Sequence, residues 1–149
     1  MHRQTGFTLL EVLVALAVLS VGLLGLASLQ ITALRYNASS LYLGQAINLA
    51  YQIIDSMRAN RALAVAGNYT SAIPTTATVC ATTASTLTGT VAAQDLQIWR
   101  NAIACTLPSG EGSITLAGNR VTVTVQWDDS RAREHNQESV QPFIMATDL

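Results

Sequence analysis

The 149-residue sequence predicts an α+β fold in which a long N-terminal helix packs on a small antiparallel sheet. Three observations lead there. An apolar run from Phe7 to Leu29 contains one ionisable side chain, Glu11. Beyond it the pattern stays helical, with no proline before Pro74. Towards the C-terminus apolar and polar residues alternate, which is the period of strands with one buried face.

The first element is the apolar run. Its length of about 23 residues is enough for a helix to cross a hydrocarbon core of roughly 30 Å. Fourteen Phe, Leu and Val side chains lie in it. At about −0.3 to −0.6 kcal/mol each they contribute very roughly −4 to −8 kcal/mol to insertion, against about +3 for one central acid. Insertion therefore survives Glu11. His2 and Arg3 precede the run and the next charge is Arg35, so the positive-inside rule keeps the N-terminus cytoplasmic and sends the rest of the chain across. In a Gram-negative cell that side is the periplasm. Two other readings of this segment exist. A secretory signal would be cut after the apolar stretch, near Gly25-Leu26-Ala27, although a carboxylate close to its start is unusual for one. An uncleaved anchor would let Glu11 snorkel to the interface.

The helix is expected to continue into a second half. Leu43, Ile47, Ala50, Ile54 and Met57 recur at alternating four- and three-residue steps, a stripe along one face. Arg58 and Arg61 suit a last turn and Gly67-Asn68 a stop. One helix from Phe7 to about Leu63 would measure roughly 85 Å at 1.5 Å per residue. Any bend or local melting should centre on the glycines Gly22 and Gly25, beside Ser28. From Asn68 to Thr90 the chain is rich in Thr, Ala and Ser and reads as a connecting loop. Leu96, Trp99 and Ile103 fit a short amphipathic helix, stopped by Pro108 and Gly110. Ile114 and Leu116 then alternate, Gly118-Asn119 makes a tight turn, and Val121, Val123, Val125 and Trp127 alternate again, giving a hairpin with one buried face. After the polar stretch "DDSRAREHN" a further strand is expected within Val140 to Thr147. A sheet of about three or four strands results, and its apolar face can cover the helix stripe.

Composition excludes several chemistries. With 11% charged residues, eight arginines, no lysine and a formal net charge of −1, the chain is no broad polycation for nucleic acid. Cys80 and Cys105, the only cysteines, suit a disulfide in an oxidising compartment rather than free thiols, and a zinc site would need more ligands. Closing about 25 residues, that disulfide would tie the loop to the short helix and stabilise the head by about 3 kcal/mol. His135 stands in a polar loop without a Ser or Cys partner nearby in sequence. Asp128, Asp129, Glu134 and Glu138 lack the spacing of an EF-hand and read as a solvated turn. Arg131 and Arg133 are surrounded by those four acids, which argues against DNA phosphates as their partner. The patterns Asn37-Ala-Ser39 and Asn68-Tyr-Thr70 read as chance matches to a glycosylation acceptor. No catalytic, cofactor-binding or metal-binding residue emerges.

The N-terminus does more than span. A basic leader, then Gly6, Phe7, Thr8, two leucines, Glu11 and an unbroken apolar helix ("GFTLLEV") resemble the class III signal of type IV pilins and pseudopilins. The resemblance implies cleavage after Gly6 by a prepilin peptidase, N-methylation of Phe7, and retention of the apolar segment. It divides the chain into a leader (1–6), a transmembrane and assembly helix (7–29), and a periplasmic head that includes the second half of the long helix (30–149). It also gives the carboxylate a purpose. A bare carboxylate in lipid is costly unless it meets a cation in the same low-dielectric layer. Cleavage creates one, the α-amine of Phe7. That amine lies too near Glu11 along its own helix to be the only partner, and a neighbouring subunit supplies another, so Glu11 becomes an assembly register.

Later stretches, "SVGLLGLASLQ", "DSMRANRALAVAGNY", "LQIWRNAIACTLPSG" and "VTVTVQWDD", resemble the PilV-type minor pilins, also called pilus modification proteins. That likeness implies a non-catalytic subunit that helps prime assembly of the type IV pilus, first in the inner membrane and then in the pilus. Its implied partners are the prepilin peptidase, other minor pilins, the major pilin and the inner-membrane assembly platform. A minor pseudopilin of type II secretion shares the N-terminus. A secreted or membrane-anchored periplasmic binding domain, including a DNA-binding uptake pilin, is the alternative of another class.

Overall fold

The computed structural model describes residues 8–82, 87–132 and 139–149. Three helices, α1 (Leu9–Ala59), α2 (Arg61–Val65) and α3 (Val91–Thr106), precede three strands, β1 (Glu111–Ala117), β2 (Arg120–Asp128) and β3 (Val140–Asp148). This is the expected α+β architecture of a long apolar helix followed by a small antiparallel sheet. The chain divides into two compact units, Met1–Asn37 and Ala38–Leu149.

Within the first unit, α1 begins where Thr8 accepts hydrogen bonds from Glu11 N–H, 3.1 Å to its carbonyl and 3.3 Å to its hydroxyl. The helix then exposes every residue from Leu9 to Arg35. It is apolar all round, as a lipid-facing helix is and an amphipathic surface helix is not. Two of its hydroxyls bond back into the helix: Ser20 donates to Leu16 O at 2.7 Å and Thr32 to Ser28 O at 3.1 Å. α1 is helical without interruption through Gly22, Gly25 and Ser28.

In the second unit the C-terminal part of α1 buries Ala46, Leu49, Ala50, Ile53, Ile54 and Met57. The sequence stripe was therefore right at Ala50, Ile54 and Met57 and wrong at its start. Leu43 is exposed and Ile47 only half-buried. The apolar residues in this stretch cover more than one face, and burial chose the face with the two alanines, which admit close approach. α1 stops at Ala59, four residues before the expected end at Leu63. Asn60 N–H is shared between Ser56 O (3.1 Å) and Met57 O (3.2 Å), a tightened last turn, before the chain restarts as α2. Arg61 consequently opens α2 instead of closing α1, and donates to Leu149 O at 2.9 Å. Gly67 is the stop that the sequence indicates, with φ +84° and Asn68 N–H returning to Leu63 O at 3.0 Å.

The sheet has the order β1-β2-β3, both pairs antiparallel. Gly118, at φ +63°, and Asn119 connect β1 to β2 where Ala117 pairs with Arg120, a two-residue turn of the kind whose twist suits a hairpin. Val121, Val123, Val125 and Trp127 are buried as the alternation requires, as is Ile114. Leu116 is only half-buried. The inner face of β1 is set by α3: Trp99 and Ile103 lie over Gly112, where no side chain fits. Trp99 Nε1 donates to Leu49 O at 2.9 Å and so joins α3 to the buried stretch of α1.

Candidate functional site

The N-terminal motif and the cysteine pair lie in different units. At the N-terminus, Gly6 and Phe7 fall outside the described residues. Glu11 sits in the first turn of α1, where the helix dipole favours a negative charge. Thr8 and Glu11 have the spacing of a capping box, a sequence signal for the helix start. Among the described residues Glu11 makes no ion pair, the one salt bridge there being Arg58 with Asp55 at 3.4 Å. It borders a depression of about 240 Å³ whose other walls are Val12, Ala15, Leu16 and Leu19. The depression exists because Ala15 stands between longer side chains, and it places the carboxylate beside an apolar hollow. A Cβ added at Gly22 or Gly25 would meet nothing within 4 Å, so this chain's own packing does not require glycine at either position.

In the head, Cys80 and Cys105 form a disulfide with Cα atoms 4.7 Å apart. It fastens the segment after Pro74 to the last turn of α3, in line with the oxidising compartment that the cysteine usage suggests. The sequence did not reveal its reinforcement. Asn101, one turn before Cys105, accepts from Ala81 N–H at 2.7 Å and donates to Ala81 O at 3.2 Å. The segment expected to be a plain connecting loop has two further anchors. Ser71 forms a bridge with Ile114. Tyr69, 1% exposed, donates to Asp95 Oδ2 at 2.5 Å. Burial, and then that hydrogen bond, pushes the phenol pKa up to about 12. Both partners are ordinary loop and helix residues in sequence, and nothing in their spacing announces the contact.

The polar turn after β2 is less solvated than its composition implied. Asp128 accepts from Ser130 N–H at 2.9 Å, and that bond holds its carboxyl below the usual carboxylate range. Asp129 is buried, takes a 2.6 Å hydrogen bond from Ser39, and donates its N–H to Ser139 O at 2.7 Å. The expectation of a solvated turn thus fails at Asp129, whose burial is compensated by these bonds. Arg133, Glu134, His135 and Glu138 lie outside the described residues. Among the described residues no three His, Cys, Asp or Glu side chains gather as a metal site would require.

Residues 1–27 match the family model of the prokaryotic N-terminal methylation motif. The chain carries a prepilin-type N-terminus. No curated protein and no solved structure matches the chain. The motif covers the leader and most of the apolar run, and it supports a protein of the type IV pilin and pseudopilin class, whose members are structural subunits and not catalysts. It implies processing by a prepilin peptidase and a setting of pilus-type assembly. The motif and the exposed apolar helix that continues it are both consistent with membrane anchoring, since α1 is long and apolar enough to cross a bilayer and its apolar window is 0% buried in the chain.

Proposed function

We propose that this protein is a minor pilin that takes part in priming assembly of a type IV pilus and enters the filament through its N-terminal helix. The observation that carries the reading is the continuity of the methylation motif with a helix whose first 27 residues, Leu9 to Arg35, bury nothing within their own chain. Such a surface is held first by lipid and then by the stalks of other subunits. The peptidase cuts after Gly6, Phe7 becomes the methylated first residue, and the head stands in the periplasm, where the Cys80–Cys105 disulfide persists. Glu11 then serves as the register. Its carboxyl pairs with α-amines exposed on processed subunits, its own and a neighbour's, so apolar contact supplies adhesion and the polar pair fixes the stagger.

The PilV-type likeness of the later stretches favours the pilus over type II secretion, and the N-terminus alone serves both. Affinity capture of the full-length chain from detergent-solubilised membranes separates them. Enrichment of other minor pilins, with the chain present in sheared pili, is the expected outcome. Enrichment of secretion pseudopilins instead would assign it to the secretion system. Recovery without any filament subunit would leave a membrane-anchored binding domain.

A further inference from the structure

Within the second unit, the open edge of the sheet offers a further contact surface. β3 is an outer strand. The direction of its backbone groups follows from the opposite edge. Ile114 exchanges both backbone hydrogen bonds with Ser71, at 2.8 and 2.9 Å, so its N–H and C=O turn away from β2. Its β2 partner Val123 must then direct its own pair of groups towards Met145 of β3. By the alternation of an antiparallel ladder, Met145 bonds inwards and its neighbours Ile144 and Ala146 present N–H and C=O to the outside. Pro142 belongs to the same outward set, the place where a strand proline sacrifices no ladder bond. Among the described residues no hydrogen bond from outside the sheet reaches the backbone of Ile144 or Ala146.

The same edge is incomplete on its apolar side. Val123 and Val125 are 0% exposed, yet Met145 and Phe143, directly opposite them in β3, are only half-buried. At the other edge Ser71 closes the row and Ile114 is 1% exposed. On the outer face Ile144 is 62% exposed. Charged residues, a common guard of open edges, are limited in β3 to Asp148 at its end.

We infer that the free edge of β3 receives an extended strand from a different pilus subunit, apolar on the side that covers Phe143 and Met145. Water would satisfy the outward N–H and C=O groups and leave those two side chains uncovered. A helix or apolar loop would cover the side chains and leave the backbone unpaired. A strand does both, with affinity from main-chain bonds and selectivity from alternate side chains. A second copy of this chain fits less well. In an antiparallel β3–β3 ladder that includes residue 142, each copy brings Pro142, so two donors are missing where a foreign strand loses one. Such a ladder restricted to residues 144–148 is short. A strand addition of this size buries well under the roughly 1,200 Å² of a stable free interface, so it depends on the stalks' being held in one membrane or filament at high effective concentration. To that extent the inference rests on the proposed function.

Photo-crosslinking in cells producing the full-length chain tests it, with p-benzoylphenylalanine in place of Ile144 and, separately, in place of Leu23 on the stalk. The expected product from position 144 is an adduct mapped by peptide mass spectrometry to an extended stretch of a different subunit that itself begins with a methylated residue. Ala146→Pro removes an outward N–H and no β2 bond. It should reduce that adduct at least tenfold while the head's urea midpoint is unchanged. If the proline unfolds the head, Ala146→Lys takes its place. An adduct on a second copy of the chain, or one undiminished in a folded edge variant, overturns the inference. No adduct from position 144 while position 23 still reaches other subunits overturns the edge and leaves the assembly reading standing. Silence at both positions overturns the two together.

Discussion

Gly112 offers the most direct check on how the head is packed. It lies in β1 beneath α3, and a Cβ built there would be 2.5 Å from Trp99 Cη2, 2.7 Å from Ile103 Cδ1 and 2.9 Å from Trp99 Cζ3. The nearest contact is about 1 Å shorter than two carbons tolerate. Trp99 cannot swing aside cheaply, because it is 1% exposed and its Nε1 donates to Leu49 O at 2.9 Å. Overpacking of this kind costs about 1–3 kcal/mol. Replacing a strand glycine with alanine returns roughly 0.5–1 kcal/mol of backbone entropy. The clash wins, and Gly112→Ala should destabilise the head by about 1–2 kcal/mol, lowering a urea midpoint by about 1 M at an m-value near 1.5 kcal/mol/M. The assay is a urea titration of the full chain in detergent micelles, followed by fluorescence. Both tryptophans, Trp99 and Trp127, are buried in the head, so the signal reports that unit alone. In a Trp99→Phe/Ile103→Val background the clashing atoms are gone and the alanine should become nearly neutral, a coupling of about 1 kcal/mol or more. An unchanged midpoint for Gly112→Ala, or the same loss in both backgrounds, would refute the packing argument.

Three other outcomes are expected. Replacing both cysteines, Cys80→Ser with Cys105→Ser, should cost the head about 3 kcal/mol and about 2 M in the same urea titration, because the loop of about 25 residues regains its freedom when unfolded; a midpoint within 0.3 M or so of the parent, a resolution set by such extrapolations, would show the disulfide to be idle. Glu11→Ala should leave leader removal intact but lower the amount of the chain in sheared filaments roughly tenfold, the equivalent of about 1.4 kcal/mol; full incorporation would end the register role. Tyr69 is neutral when protonated, and its folded pKa of about 12 stands above the ordinary 10.0, so its contribution is whole below pH 10 and is lost as pH climbs towards 12. Unfolding titrations across that range should show a steeper decline for the parent than for Tyr69→Phe, and parallel declines would contradict the assignment.

Much of the architecture was legible because its signals are periodic. The hairpin from Ile114 to Trp127 announces itself by alternation and a Gly-Asn turn, and Gly67 marks a helix end by a backbone angle that glycine adopts readily. Where periodicity is degenerate the sequence misleads. Leu43 and Ile47 are as apolar as Ala46 and Ala50, and only the approach of α3 and the sheet decides which row is buried. Local spacing also hides contacts between residues far apart in the chain. Asp129 meets Ser39, Tyr69 meets Asp95, and Asn101 clamps Ala81, and each partner belongs to a type common on surfaces. The N-terminal motif was legible for the opposite reason: its signal lies in the order and spacing of residues 1–27 and needs no tertiary fold.

Intact-mass and peptide mass spectrometry of the protein isolated from membranes and sheared filaments addresses the central claim in one step. The expected first residue is Phe7 carrying an N-methyl group, with Glu11 four positions further on. A chain beginning at Met1, or one beginning near Ser28 after loss of the apolar segment, would contradict it, because in neither case does the newly exposed amine exist beside a retained Glu11.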